Sequence, residues 1–333
     1  MNINRRAFVA SLSAATAMRS IATSAQQTSR LRTVGILMGL ANDKETQARG
    51  KVIEQGLARK SWIVGQNLRL EYRYAEGDID RMITLSKELV SLHPDLIIAH
   101  STPVVSALLG VTHTIPIVFV VVADPIGSGF VASLARPGGN VTGFSNPVPT
   151  ITGKYLSILR ELKPQLTRVA LMYNPESVPN GGRVFMPAFM ESAREFHITP
   201  VAAAVHSPAE IEAAMADLGE TPGSTLIVLA DNFTSVHREL IIPLAARLRV
   251  PAIYPYRYFV DEGGLLSYGV DVLDLFRRVP DYVDRILRGE KEPSDLPVQT
   301  PRKFELVINL KTARDLGLVV PRILLASADA LID

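Results

Sequence analysis

No cysteine occurs anywhere in the 333 residues. That excludes a disulfide framework, a thiolate nucleophile and a lipid-anchored cysteine at a processed N-terminus. Aromatic residues are sparse, and the single tryptophan, Trp62, follows a helical segment where it reads as a packing residue. Nothing after the first 25 residues approaches the roughly 18 to 20 unbroken apolar residues a membrane-spanning helix needs, so no membrane insertion of the mature chain is expected. The serine-hydrolase elbow G-x-S-x-G, the phosphate loop G-x-x-x-x-G-K-[ST] and the zinc pair H-E-x-x-H are all missing. The histidines are scattered, and His93 and His100 bracket one strand at a spacing that matches no common metal site, so neither metal nor cofactor is expected.

What is present is apolar material: 47% hydrophobic against 20% charged residues, enough for large buried sheets. The length exceeds what one core usually supports and predicts two lobes. The first 25 residues carry Arg5, Arg6 and Arg19 and no acid. With a basic start, a modest apolar stretch and small residues at Thr23 and Ala25, they read as a removable export signal, twin-arginine-like or general secretory. Taking those three arginines from the 35 basic residues leaves 32 against 33 acidic ones, a net charge of −1. A near-neutral mature chain argues against nucleic acid or an anionic membrane as partner.

From about residue 32, short apolar runs alternate with amphipathic segments: TVGILM, a helix from about Asp43, LRLEYRY, a helix opening at Asp78, DLIIAH, a short helix after Pro103, and IVFVVV. LIIA and VFVVV are solid apolar runs, as in parallel strands covered on both faces. After VTGFSNP the same grammar restarts with RVALMY, ITPVAAAV, a helix opened by the capping box Ser207-Pro208-Ala209-Glu210, TLIVLAD, PAIYP and LLSYG. The expected fold is α/β, two doubly wound Rossmann-like lobes in succession. FELVIN near the C-terminus fits either sheet.

One motif raises an enzyme. Gly127, Gly129 and Ala132 satisfy G-x-G-x-x-A after a strand, the pattern of a dinucleotide-binding loop. That reading needs an acidic residue about 20 positions on to hold a ribose hydroxyl. None lies between Pro125 and Arg160, and the motif follows the fourth strand of its lobe rather than the first. Asp124-Pro125 is therefore read as a helix opening, with the glycines allowing close packing.

The residues just past each strand form a coherent polar set: Asn42, Ser101, Thr102, Asp124, Asn146, Asn174, Asp231, Asn232, Tyr254 and Tyr268. Ligands of doubly wound sheets sit at the carboxyl ends of strands. Ser101 and Thr102, at a helix start, suit a carboxylate or simply cap the helix. Asp231 suits a ligand ammonium or caps the helix that follows. Tyr254, Tyr256, Tyr258 and Tyr268 offer flat walls with hydroxyl tips.

Three long strings, DPIGSGFVASLARPGGNVTGFSN, PAIYPYRYFVDEGGLLSYGVD and LPVQTPRKFELVINLKTARDLGLVVP, resemble the ABC-transporter substrate-binding proteins related to tryptophan/tyrosine-type receptors, within the type I periplasmic-binding-protein superfamily. The resemblance implies two α/β lobes joined by a three-crossing hinge. The first would hold 31–145 and the helix near 272–292, the second 146–270 and the tail from Leu296. It also implies a small ligand, an amino acid or an aromatic acid, clamped between the lobes and delivered to ABC permease membrane subunits from the periplasm. The cleft would use the segments around Asn42, Ser101-Thr102, Asp124, Asn146, Asn174 and Asp231-Asn232. A periplasmic sensor that signals to a membrane kinase is the alternative, and an NAD-dependent enzyme stands third. Two departures from the family pattern stand out: Ser61 where it commonly has glycine after the first helix, and Tyr173-Asn174-Pro175 in place of a serine- and glutamate-bearing loop.

Overall fold

The computed structural model describes residues 31–146 and 150–333, so the expected export signal lies outside the described residues. Five strands make the first sheet: β1 (Arg32–Met38), β2 (Leu68–Tyr74), β3 (Leu96–His100), β4 (Ile117–Val122) and β5 (Val141–Ser145). They are all parallel, in the order β2-β1-β3-β4-β5. Every residue of β3 and β4 is buried, because helices cover both faces. The edge strand β2 alternates charged and apolar residues and is only partly covered.

The second sheet holds β6 (Arg168–Tyr173), β7 (Thr199–Ala204), β8 (Ser224–Val228), β9 (Ala252–Tyr254), β10 (Leu266–Val270), β11 (Phe304–Asn309) and β12 (Ala330–Ile332). Its order is β12-β11-β10-β9-β8-β6-β7, and β11 runs antiparallel to β10. FELVIN is thus an added strand of the second sheet. Leaving out β11 and β12, the two sheets repeat one topology, with the first strand of each lobe beside the third. Both lobes therefore have a switch point between those two strands, where the following loops diverge and leave a crevice.

The chain passes between the sheets three times: from β5 to the helix Ile151–Leu162, from β10 to the helix Val272–Leu287 that packs on β4 and β5, and from Gln299 to β11. The tail expected from Leu296 in the second lobe begins on the first sheet. Ser145 N donates to Gln299 O and Gln299 N to Gly143 O, both at 2.9 Å, and Val298 N donates to Leu134 O at 2.7 Å.

Local signals set most helix starts. Asp43 accepts from Thr46 N and Asp78 from Arg81 N, both at 2.8 Å, and Ser207 accepts from Glu210 N at 3.3 Å. Each cap contributes on the order of 1 kcal/mol. Asp124-Pro125 differs from expectation: residues 125–129 form turns, with no helix. Asp124 takes a left-handed backbone (φ 45°) and its carboxylate accepts from Gly127 N at 2.9 Å, closing a side-chain turn before a helix can start. A Cβ on Gly127 would lie 2.0 Å from that carboxylate, which explains the glycine without a nucleotide.

Ser61 occupies the left-handed position (φ 68°) that ends the helix Lys44–Ala58, with Trp62 N donating back to Leu57 O at 3.0 Å. Serine meets a steric cost there that glycine does not. Ser61→Gly is expected to raise stability by about 0.5–1 kcal/mol, a rise of roughly 1–3 °C in Tm. A melting curve that moves down would contradict this account of the turn.

Candidate functional site

The two switch points face each other. On the first lobe, the ends of β1 and β3 present Gly39-Leu40 and His100-Ser101; on the second, the ends of β6 and β8 present Asn174 and Asp231-Asn232. The lobes touch across the gap. Asn232 Nδ2 donates to Ser101 Oγ at 2.8 Å, and a Cβ on Gly39 would lie 2.2 Å from that same Nδ2. Behind this contact lies a cavity of about 30 Å³, lined from the first lobe by Leu40, Arg49, His100, Ser101 and Thr102 and from the second by Ser177, Asp231, Asn232, Tyr256 and Tyr258. Asn146, at the first crossing, joins it and donates through Nδ2 to the Tyr256 hydroxyl at 2.9 Å. The space suits a water or two. An amino-acid-sized ligand therefore requires the lobes to part.

Asp231 is 5% exposed. Its Oδ1 accepts from Thr234 N at 2.7 Å, capping the helix Asn232–Val236, and its Oδ2 accepts from Asn174 N at 3.1 Å. Burial pushes its carboxyl up to about 7, and these backbone N–H groups offset only part of that. Of the two readings open from the sequence, capping is what the geometry shows, and the same residue also lines the cavity. His100, 3% exposed, is held well below the usual histidine range by burial and by the Arg49 charge, so its ring is neutral. Three buried polar atoms on lining residues have no hydrogen-bond partner among the described residues: Asn146 Oδ1, Ser177 Oγ and His100 Nδ1. Buried polar groups are seldom left unpaired, and these three residues share the lining of one cavity.

Of the ten residues named from the sequence, Ser101, Thr102, Asn146, Asp231 and Asn232 line this cavity. The Thr102 hydroxyl is engaged with the Ala123 backbone, accepting from its N at 3.2 Å, while Ser101 is the residue at the helix N-cap. Asn174 sits one step behind the cavity, its side chain accepting from Glu176 N and Ser177 N. The other four do not line it. Asn42 bonds Gln47 at 3.2 Å in an exposed position, and Asp124 serves its own turn. Tyr254 is buried against Phe259, ring centres 5.1 Å apart. Tyr268 stacks on Phe304 at 5.9 Å. Tyr256 and Tyr258 supply the aromatic wall instead.

Tyr256 and Tyr258 were among the tyrosines offered as walls by the sequence, whereas Arg49 and Ser177 are lining residues that the strand-end rule does not reveal. Arg49 had a signal: with Thr46, Gly50, Ile53, Gly56 and Leu57 it falls on the buried stripe of its helix, where a charge is out of place. A second arginine fastens the lobes. Arg238 Nη2 lies 2.9 Å from Asp43 Oδ2 across the cleft mouth, and its Nε lies 2.9 Å from Glu262. Burial would raise the Asp43 carboxyl, but the Thr46 N–H and Arg238 outweigh it and hold the group below its ordinary value.

Known proteins repeat this architecture. A crystal structure of a conserved domain protein from Vibrio cholerae superposes with a TM-score of 0.82 at 29% identity, covering 91% of this chain and all of its own. A Streptococcus pneumoniae ABC domain in complex with L-Trp gives a TM-score of 0.81 at 26% identity, covering 90% and 99%. A tyrosine-binding protein of Clostridioides difficile is 27% identical over 265 residues, 79% of this chain and 75% of its own. A family model described as ABC transporter substrate binding protein matches residues 33–332, and so nearly the whole chain, sheets, crossings and cleft together, belongs to that family.

Proposed function

We propose that this chain is the extracytoplasmic receptor of an ABC importer. It clamps a small carboxylate-bearing ligand, an amino acid or an aromatic acid, between its lobes and delivers it unchanged to membrane permease subunits. The observation that carries the reading is the convergence of unpaired buried polar atoms and two charged groups, Arg49 and Asp231, from both lobes onto one cavity. A ligand touching both lobes favours the closed form because only there are both halves of the site engaged. Relatives that bind tyrosine and hold L-Trp support an amino acid. Asp231 is assigned the ligand ammonium, with Asn146 and Asn232 hydrogen-bonding its polar end and Tyr256 and Tyr258 walling its side chain.

The test is thermal unfolding of the chain without its first 25 residues against L-tyrosine, L-tryptophan and aromatic acids. A ligand at a hundred times its Kd adds about 2.7 kcal/mol, a shift of several degrees. A panel in which no carboxylate moves the melting temperature would sink the proposal.

A further inference from the structure

Two arginines flank the ring of Tyr258, each with its guanidinium carbon 5.5 Å from the ring centre. Their partners differ. Arg238 takes the nearby carboxylates, Asp43 and Glu262. Arg49 has the faces of Tyr258 and Phe276, the latter at 5.8 Å, a hydrogen bond to the Tyr258 hydroxyl, and the neutral His100, whose Nε2 lies 3.5 Å from its Nη1; none of these is a counter-charge. Glu45, one turn earlier on the same helix, feels the Arg49 charge but makes no ion pair with it; among the described residues no carboxylate comes within 4 Å of Arg49.

A guanidinium keeps its charge inside a protein. At 2% exposure Arg49 is removed from bulk water, and the cavity beside it has room for no more than a water or two. Aromatic faces return roughly 0.5–2 kcal/mol, against a penalty of several for taking an ion out of water. The buried charge therefore lacks a counter-ion, and it lines the ligand cavity.

We propose that Arg49 receives the anionic end of the ligand, holding a planar carboxylate through paired N–H···O bonds, so that the cleft accepts carboxylates and rejects the corresponding neutral amides. This rests on the receptor reading above and specifies it. The carboxylate moves from the Ser101-Thr102 turn, whose hydroxyls are engaged with Asn232 and Ala123, to the helix of the first lobe. With Arg49 on one lobe and Asp231 on the other, each end of a zwitterion has its own charged partner, and closure joins them.

The experiment measures wild type, R49M and R49K against two acid/amide pairs, L-tyrosine with L-tyrosinamide and 4-hydroxyphenylacetate with its amide, by calorimetry and melting. The second pair carries no amine and so bypasses Asp231. Wild type is expected to prefer the acid at least about 100-fold, R49M to fall below about threefold preference, and R49K to lie between. Without ligand, R49M should melt no lower than wild type, because it removes an uncompensated buried charge. If R49M does not fold, R49Q takes its place. Two results would overturn the proposal: a variant that keeps the acid preference, or one that loses both members of a pair equally while melting lower, which would make Arg49 a structural pillar between two rings. Wild type that binds neither acid would instead overturn the receptor reading, and this proposal with it.

Discussion

An amine-bearing ligand is expected to bind about 30-fold more weakly at pH 5.5 than at pH 8, while an aromatic acid lacking the amine changes less than twofold. The cause is Asp231. Its carboxyl titrates at about 7 in the folded chain, so below that pH a proton competes with the ammonium for the same charge, at about tenfold per pH unit. The sign for stability without ligand follows from the same shift. The folded value lies above the ordinary 3.8, so the contribution of this group is fully present below about pH 4 and is lost as pH rises through 7. Its size is of the order of 4 kcal/mol. A bound ammonium restores what ionisation costs, so the rise in melting temperature on adding amino acid should be larger at pH 8 than at pH 5.5. Asp231→Asn should flatten the pH dependence and weaken the amine ligand by about 10- to 100-fold. It keeps an acceptor for Thr234 N and loses the bond from Asn174 N, so its own fold should survive. Calorimetric titrations across this pH range decide the matter; parallel pH curves for both ligand types would remove Asp231 from its role.

A large loss of stability is expected from Gly143→Ala, in β5 just before the first crossing. A Cβ there would lie 2.1 Å from Phe119 O, 2.7 Å from Phe119 N and 2.8 Å from Phe119 C. These are backbone atoms of β4 and cannot rotate aside, so the two strands must separate. Gly143 O also accepts from Gln299 N, and the next residue, Phe144, packs on Tyr282 with ring centres 4.9 Å apart. Strain at this point therefore spreads to the third crossing and to Asn146 in the cavity. The expected cost exceeds about 3 kcal/mol, and Tm should fall by roughly 10 °C. Gly139→Ala is the control, since a Cβ there meets nothing within 4 Å. Denaturant curves for the two variants that lie within 1 kcal/mol of each other would contradict this view of the hinge.

How far the site could be read in advance varies by residue. Asp43, Asp78 and Ser207 cap helices because capping depends on a residue and a backbone three positions on. Asp231, Ser101 and Asn146 were reachable because a buried strand has to end somewhere, and the first polar residue after it emerges at the sheet edge. The same rule misplaced Tyr254 and Tyr268. Strand parity would put Tyr254 and Tyr256 on one face, but β9 ends at Tyr254, which packs on Phe259 in the core, and beyond Pro255 the chain leaves the strand and Tyr256 turns into the cleft. Asp124 misled because Asp-Pro opens helices and also closes turns, and the backbone at φ 45° chose the turn.

The amino-acid order alone determined two α/β lobes, several helix starts and the lack of any cysteine thiolate, because each rests on periodicity, on neighbours within a few positions or on simple composition. Tertiary structure decided which polar residues meet. Arg49 and Asp231 stand 182 positions apart on different lobes, and whether a charge has a counter-ion depends on what folding brings within a few ångströms of it. Only there does Arg238 take both carboxylates and leave Arg49 without one.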